Sequence, residues 1–300
     1  MRPWIYPKSC RVSELTLDEM FGDGLTSSPC VYLNQDRELS VAIETCVQYL
    51  ESLVDSIVIR DDEKNVLGIV GGYDLLYYIR RNPFRDFQYE TKVKDIMFNE
   101  LTVVGKTTTF HELMEKWNKT RRAFAIIPNR FQGYSPISAR KMLEIGIKCK
   151  TNISLSSFPE KEVITFHSDD SLETIVDLMF KHKTRKLLLE FSNQYISDRL
   201  VLKEISKILK FQPTVENLLE IPVNQMELDD VTVVKEDMRL DQVCQMMYEM
   251  AHPYIIYKDI SITPWDVCNV LMSEKMIPSY DVETTIVCPH CGKDFENPKN

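Results

Sequence analysis

Apolar residues along the chain recur in two rhythms. Over Leu39 to Leu53 and over Leu240 to Met250 they return every three or four positions, which predicts amphipathic helices. After each comes a short apolar run, Ser56-Ile57-Val58-Ile59 in the first case and Tyr254-Ile255-Ile256-Tyr257 in the second, which predicts a strand. A further strand-like segment then runs into a helix-start signal. That signal occurs four times, as Gly71-Gly72-Tyr73-Asp74, Ser138-Ala139-Arg140-Lys141, Ser197-Asp198-Arg199-Leu200 and Thr263-Pro264-Trp265-Asp266, with last positions 67, 59 and 66 apart. Each opens on a residue favoured at a helix N-cap. The fourth is the fullest, with Thr263 as N-cap, Pro264 at the first helical position and Asp266 at the third, where a carboxylate suits the unpaired amides of the first turn.

Two further phrases repeat. Lys119-Thr120-Arg121-Arg122 and Lys183-Thr184-Arg185-Lys186 lie 64 positions apart, each ahead of an apolar run. A valine-acidic-apolar phrase recurs as Val12-Ser13-Glu14-Leu15, Val93-Lys94-Asp95-Ile96-Met97 and Val215-Glu216-Asn217-Leu218, with a vaguer copy near Ile153. The predicted fold class is α+β, four βαββα repeats in tandem. A unit of about 60 residues is small to bury its apolar face alone, so the repeats are expected to pack in pairs. Residues 27–148 would form one pair and 149–277 the other, divided near the mostly polar run from Lys148 to Ser157. Residues 1–26 would lead into the first repeat, and 278–300 would form a C-terminal tail.

Composition narrows the function classes. With 300 residues, 44% of them hydrophobic and 27% charged, the chain matches a globular protein folded nearly throughout. A net charge of −9 argues against tracking a nucleic-acid backbone. No apolar stretch is long enough for a membrane helix and the start lacks a signal-peptide layout, so a cytoplasmic location is expected. Six scattered cysteines (Cys10, Cys30, Cys46, Cys149, Cys244, Cys268) read as reduced thiols. There is no GxGxxG, no GxxxxGK[ST] and no HExxH, so catalysis is not expected.

The phrase Val93 to Met97, followed about forty residues on by a strand, a cap and a helix, resembles the cystathionine β-synthase (CBS) domain, as does GIVGGYDLL at Gly68 to Leu76. The resemblance covers roughly residues 12 to 276. It implies that two repeats pack through their sheets into a Bateman module whose cleft holds an adenosine-containing ligand such as AMP, ADP or ATP. It also implies that a Thr/Ser-x-x-Asp cap contacts phosphate and ribose, which suits the amides and dipole of a helix start and a carboxylate facing two vicinal hydroxyls. Only the fourth repeat has the full pattern, Thr263 and Asp266. The first keeps Asp74 but has Gly71 at the hydroxyl position, while Lys141 and Leu200 stand where the aspartate belongs in the other two. The alternative for these caps is a capping box that only stabilises a helix.

By the same resemblance, Val231, Thr232 and Ile255 would hold the adenine, and Arg121, Arg122, Arg185 and Lys186 would supply phosphate contacts. A core role for the apolar residues and a solvated turn for the basic ones are the alternatives. His182 and His252 lie near the same position.

Near the C-terminus, Cys288-Pro289-His290-Cys291-Gly292 resembles half of a zinc ribbon. Two more ligands are needed, and a zinc shared across a homodimer is the preferred completion; a metal-free hook is the other. The expected function is a regulatory protein that senses an adenosine nucleotide and acts on an unknown partner, with a ligand-free interaction scaffold as the alternative.

Overall fold

The computed structural model describes residues 11–49, 56–149, 151–272, 286–287 and 294–295. A 3-10 turn (Val12–Glu14), helix α1 (Leu17–Phe21) and a second 3-10 turn (Gly22–Thr26) precede the first repeat. That repeat consists of β1 (Tyr32–Asn34), α2 (Leu39–Gln48), β2 (Ser56–Arg60), β3 (Val66–Gly71) and α3 (Gly72–Arg81), and α4 (Arg85–Glu90) follows it. The second contains α5 (Phe110–Thr120), β4 (Phe124–Pro128), β5 (Tyr134–Ser138) and α6 (Leu143–Lys148). The third contains β6 (Thr165–Phe166), α7 (Leu172–Lys181), β7 (Lys186–Leu189), β8 (Gln194–Ser197) and α8 (Asp198–Phe211). The fourth contains β9 (Asp229–Asp230), β10 (Thr232–Val234), α9 (Leu240–Glu249), β11 (Ile255–Tyr257), β12 (Ile260–Ile262) and α10 (Pro264–Leu271).

In the first, third and fourth repeats the strand just before the first helix (β1, β6, β10) pairs parallel with the strand after it, which pairs antiparallel with the next, while β9 adds to the third repeat's sheet by pairing antiparallel with β8. The second repeat keeps the plan with a single parallel bridge, Val103 to Ile126, in place of a leading strand. The architecture is α+β, four βαββα repeats. The centres of the middle strands are continuous apolar runs, such as Ile57 to Ile59 and Leu187 to Leu189, because both faces are covered. In β2, Ile57 and Ile59 point into a helical core, whereas Val58 faces the neighbouring sheet.

Sheets meet within each pair of repeats. Val58 and Ile69 of the first repeat pack with Phe124 and Ile126 of the second. Leu188 and Tyr195 of the third pack with Tyr254 and Ile256 of the fourth. Helices meet across the pairs. One core joins Leu39, Ile43, Leu75 and Ile79 of the first repeat to Ile175, Met179, Val201 and Ile205 of the third. A second core joins Phe110, Trp117 and Leu143 of the second repeat to Leu240, Val243 and Val267 of the fourth. Each repeat therefore touches one neighbour by its sheet and another by its helices. At the second seam α6 and α9 approach so closely that a Cβ on Gly146 would lie 2.2 Å from Cys244 Sγ.

The leading turns are exchanged. Leu15 and Leu17, ahead of the first repeat, bond to Phe110 and Thr108 at the start of α5 in the second. Lys92 bridges to Glu38 at the start of α2, Ser154 to Arg239 at the start of α9, and Pro222 to Ser171 at the start of α7. Each leading segment thus opens the first helix of its partner repeat. Residues 12–25 accordingly bury Val12, Leu17, Met20, Phe21 and Leu25 in the core of the second repeat.

Three expectations change. The fourth copy of the leading phrase is Val223–Gln225, a 3-10 turn matching Val93–Asp95, and not Val215 to Leu218, which runs against Pro83 and Arg85. The two Lys-Thr-Arg phrases are out of structural register. Their left-handed residues after the helix are Arg121 (φ 57°) and Lys183 (φ 51°), so Lys186 corresponds to Phe124 and not to Arg122. The second repeat has no helix at Ser138, because α6 starts only at Leu143.

Among the described residues no helix is long and apolar enough to cross a membrane.

Candidate functional site

The four strand-to-helix junctions carry the polar chemistry. At the fourth, Thr263 is extended (φ −129°) and Pro264 begins α10. Asp266 is buried, and its Oδ2 accepts from Thr263 N at 2.8 Å and from Thr263 Oγ1 at 2.6 Å. The hydroxyl therefore donates to the carboxylate and does not cap an amide. Lys161 Nζ stands 3.6 Å from the same oxygen, and its carbonyl accepts from Ser261 N in β12. A carboxylate with its described bonds on one oxygen, a hydroxyl, a helix start and a half-exposed lysine thus share one edge of the interface between the third and fourth repeats.

At the first junction the same aspartate has a different partner. Asp74 Oδ2 accepts from Gly71 N at 2.8 Å and from Arg122 Nη1 at 2.7 Å, and Arg122 Nη2 bonds to Oδ1. Asp74 and Arg122, expected as separate contacts to one ligand, are brought together as a forked ion pair between the first two repeats. The guanidinium also lies 4.0 Å from the ring centre of Phe98.

At the third junction Ser197 caps α8 by accepting from Leu200 N at 3.3 Å. Its neighbour Asp198, absent from the expected set, is 3% exposed and accepts from Arg185 Nε at 2.7 Å. Gly72 allows this cap to abut the first, since a Cβ there would lie 2.9 Å from Asp198 Oδ2. At the second junction Arg140 donates to the carbonyls of Met250 and Ala251 at the end of α9, the latter at 2.6 Å. Lys141 reaches Glu144 and the ring of Phe21.

Of the remaining expected residues, Val231 is buried at the sheet interface with Tyr195, Tyr254 and Ile256. Thr232 is exposed and pairs with Ile255. Ile255 is a correction: it turns into the core beneath the helices with Ile262, and the alternation of the strand gives Tyr254 and Ile256 the interface positions. Arg121 is exposed at the left-handed turn after α5 and makes no described contact with a cap. Lys186 Nζ donates to Pro253 O at 2.7 Å and lies 4.7 Å from the Tyr254 ring centre. Burial pushes its ammonium down to about 7, with Asp198 opposing. His252 is also pushed down by burial, with Asp229 opposing. His182 sits exposed at the end of α7.

Sequence reasoning missed Lys161, Asp198, Arg140 and Tyr195. Asp198 was visible as the residue after a capping serine. Lys161 carried no signal, being far from Asp266 in the chain.

Cys288 and Cys291 lie outside the described residues. The strands that flank them, β13 (Ile286–Val287) and β14 (Asp294–Phe295), pair antiparallel. Among the described residues no group of three or more His, Cys, Asp or Glu is arranged to hold a metal ion. Cys30, Cys46, Cys149, Cys244 and Cys268 are free thiols, and burial pushes Cys30 up to about 12.

No family model and no curated protein matches the sequence. Solved structures do match. A Methanocaldococcus jannaschii protein described as a candidate archaeal homologue of g-AMPK aligns with TM-score 0.68 at 15% identity, over 83% of this chain and 99% of its own. An uncharacterised conserved protein from Pyrococcus horikoshii aligns with TM-score 0.50 at 11% identity, over 81% of this chain and 96% of its own. A CBS-domain protein from Agrobacterium tumefaciens covers 43% of this chain and 92% of its own, with TM-score 0.37 at 17% identity. At these identities the likeness to the first two is one of fold alone.

Proposed function

We propose that this chain is a regulatory protein that binds an adenosine nucleotide in its second module, at the start of α10, and passes the occupancy of that site to a partner. The observation that carries the reading is the junction at Thr263 and Asp266. Its buried carboxylate is loaded on one oxygen and faces a half-exposed lysine. Vicinal ribose hydroxyls donate to such a carboxylate, and phosphate oxygens accept from Lys161 and from the first amides of the helix. Tyr254, Ile256 and Val231 line the adjacent interface and offer apolar surface to a base. The whole-chain likeness to the archaeal protein described as a g-AMPK homologue supports the same reading.

A ligand shifts the protein only if it binds one arrangement of the modules more tightly than another. The two helical cores that join the modules are where such a difference would be expressed.

The test is a thermal-unfolding panel with AMP, ADP and ATP. Native-state binding raises the melting temperature in proportion to ln(1 + [L]/Kd). At least one nucleotide should raise it, and Asp266→Ala should abolish the rise while keeping the far-ultraviolet spectrum. No rise with any of the three contradicts the proposal.

The scaffold alternative also has an observation in its favour. The carboxylates at the first and third junctions are engaged by Arg122 and Arg185, so those caps are satisfied without a ligand.

A further inference from the structure

Both aspartates at the third helical position, Asp74 and Asp266, are buried at a strand-to-helix junction, yet their cationic partners differ in kind. Arg122 grips Asp74 with both terminal nitrogens, one on each carboxylate oxygen. These are the two oxygens that a ribose diol would need. Lys161 approaches one oxygen of Asp266 at 3.6 Å and its side chain is 42% exposed, against 22% for Arg122. A guanidinium fork is planar and matched to a carboxylate, whereas an ammonium is a point charge on a flexible stem. A ligand arriving at Asp266 lets Lys161 swing toward its phosphate. A ligand arriving at Asp74 must first expel a guanidinium and leave its charge uncompensated in a partly buried place.

The backbone holds the fork in position. Ile69 and Phe98 exchange hydrogen bonds of 3.0 and 2.9 Å, which sets the Phe98 ring beneath Arg122. That approach needs Gly68, where a Cβ would lie 2.5 Å from Phe98 O.

We propose that Arg122 is a specificity-determining residue, an internal plug that occupies the first-repeat site in place of a ribose and confines nucleotide binding to the second module. The inference rests on the reading that the ligand is an adenosine nucleotide.

Calorimetric titration with AMP tests it, using the natural protein, D74N, D266A, R122Q and R122Q/D266A. The natural protein and D74N should bind one equivalent with the same affinity. D266A should lose at least tenfold in affinity, R122Q should bind two equivalents, and R122Q/D266A should recover one. The plug is overturned if R122Q keeps the natural stoichiometry. It is equally overturned if D74N alone weakens AMP binding tenfold, a result that stands even should R122Q not fold. If the natural protein binds no AMP but R122Q binds one equivalent, the fourth-junction site falls and the plug stands. If no variant binds AMP, both fall.

Discussion

Lys186 lies at the sheet interface of the second module, over the ring of Tyr254, with its ammonium pushed down to about 7 from 10.5 by burial. Between those values the unfolded chain holds a proton that the folded chain has released, so stability rises with pH across that window. Below about 7 both forms are protonated and the burial cost is paid in full. The urea midpoint should therefore climb from pH 7 to pH 8.5, below the range in which the buried thiols Cys30, Cys46, Cys244 and Cys268, pushed up from 9.0 by burial, oppose the gain, and Lys186→Met should flatten the climb. An unchanged slope in that variant would contradict the assignment. At this scale, legibility followed sequence distance. Thr263 and Asp266 are three positions apart and were readable as a cap. The pairs Arg122 with Asp74, Lys161 with Asp266 and Arg140 with Ala251 join different repeats, and only the fold brings them together.

Arg85 of α4 fixes the end of α8. Its guanidinium donates to Leu209 O at 3.0 Å, Ile208 O at 2.9 Å, Gln212 O at 2.6 Å and Val215 O at 3.1 Å. The last carbonyls of a helix lack intrahelical partners, and a cation there also meets the negative end of the dipole. Replacing Arg85 by Met should cost about 1.5 to 3 kcal/mol in urea unfolding with little change in slope, the range for hydrogen bonds to a charged group. A loss below about 0.5 kcal/mol would show that the cap contributes little. Most helices and middle strands were legible because their apolar rhythm reports the face they bury. Boundaries were less so, since the rhythm over Leu39 to Leu53 outruns α2, which ends at Gln48. The late start of α6 was hidden because Arg140 turns aside to the end of α9.

For the whole molecule, the repeat count and the plan strand, helix, strand, strand, helix were readable from four junction signals. The exchange of leading turns between partner repeats was not, because a docked segment and a leading one look alike in a linear pattern. Nor was the inequality of the junctions fully visible: the sequence ranked Asp74 second to Asp266, while the structure closes Asp74 with a guanidinium and leaves Asp266 beside a half-exposed lysine. The central claim is that one junction of four takes the nucleotide. A crystal structure of the chain grown with AMP tests it most directly. The account predicts ribose hydroxyls on Asp266, phosphate at Lys161 and the start of α10, and the Arg122 to Asp74 pair intact; AMP seated on Asp74 with that pair broken, or a map showing AMP at neither junction, would contradict it.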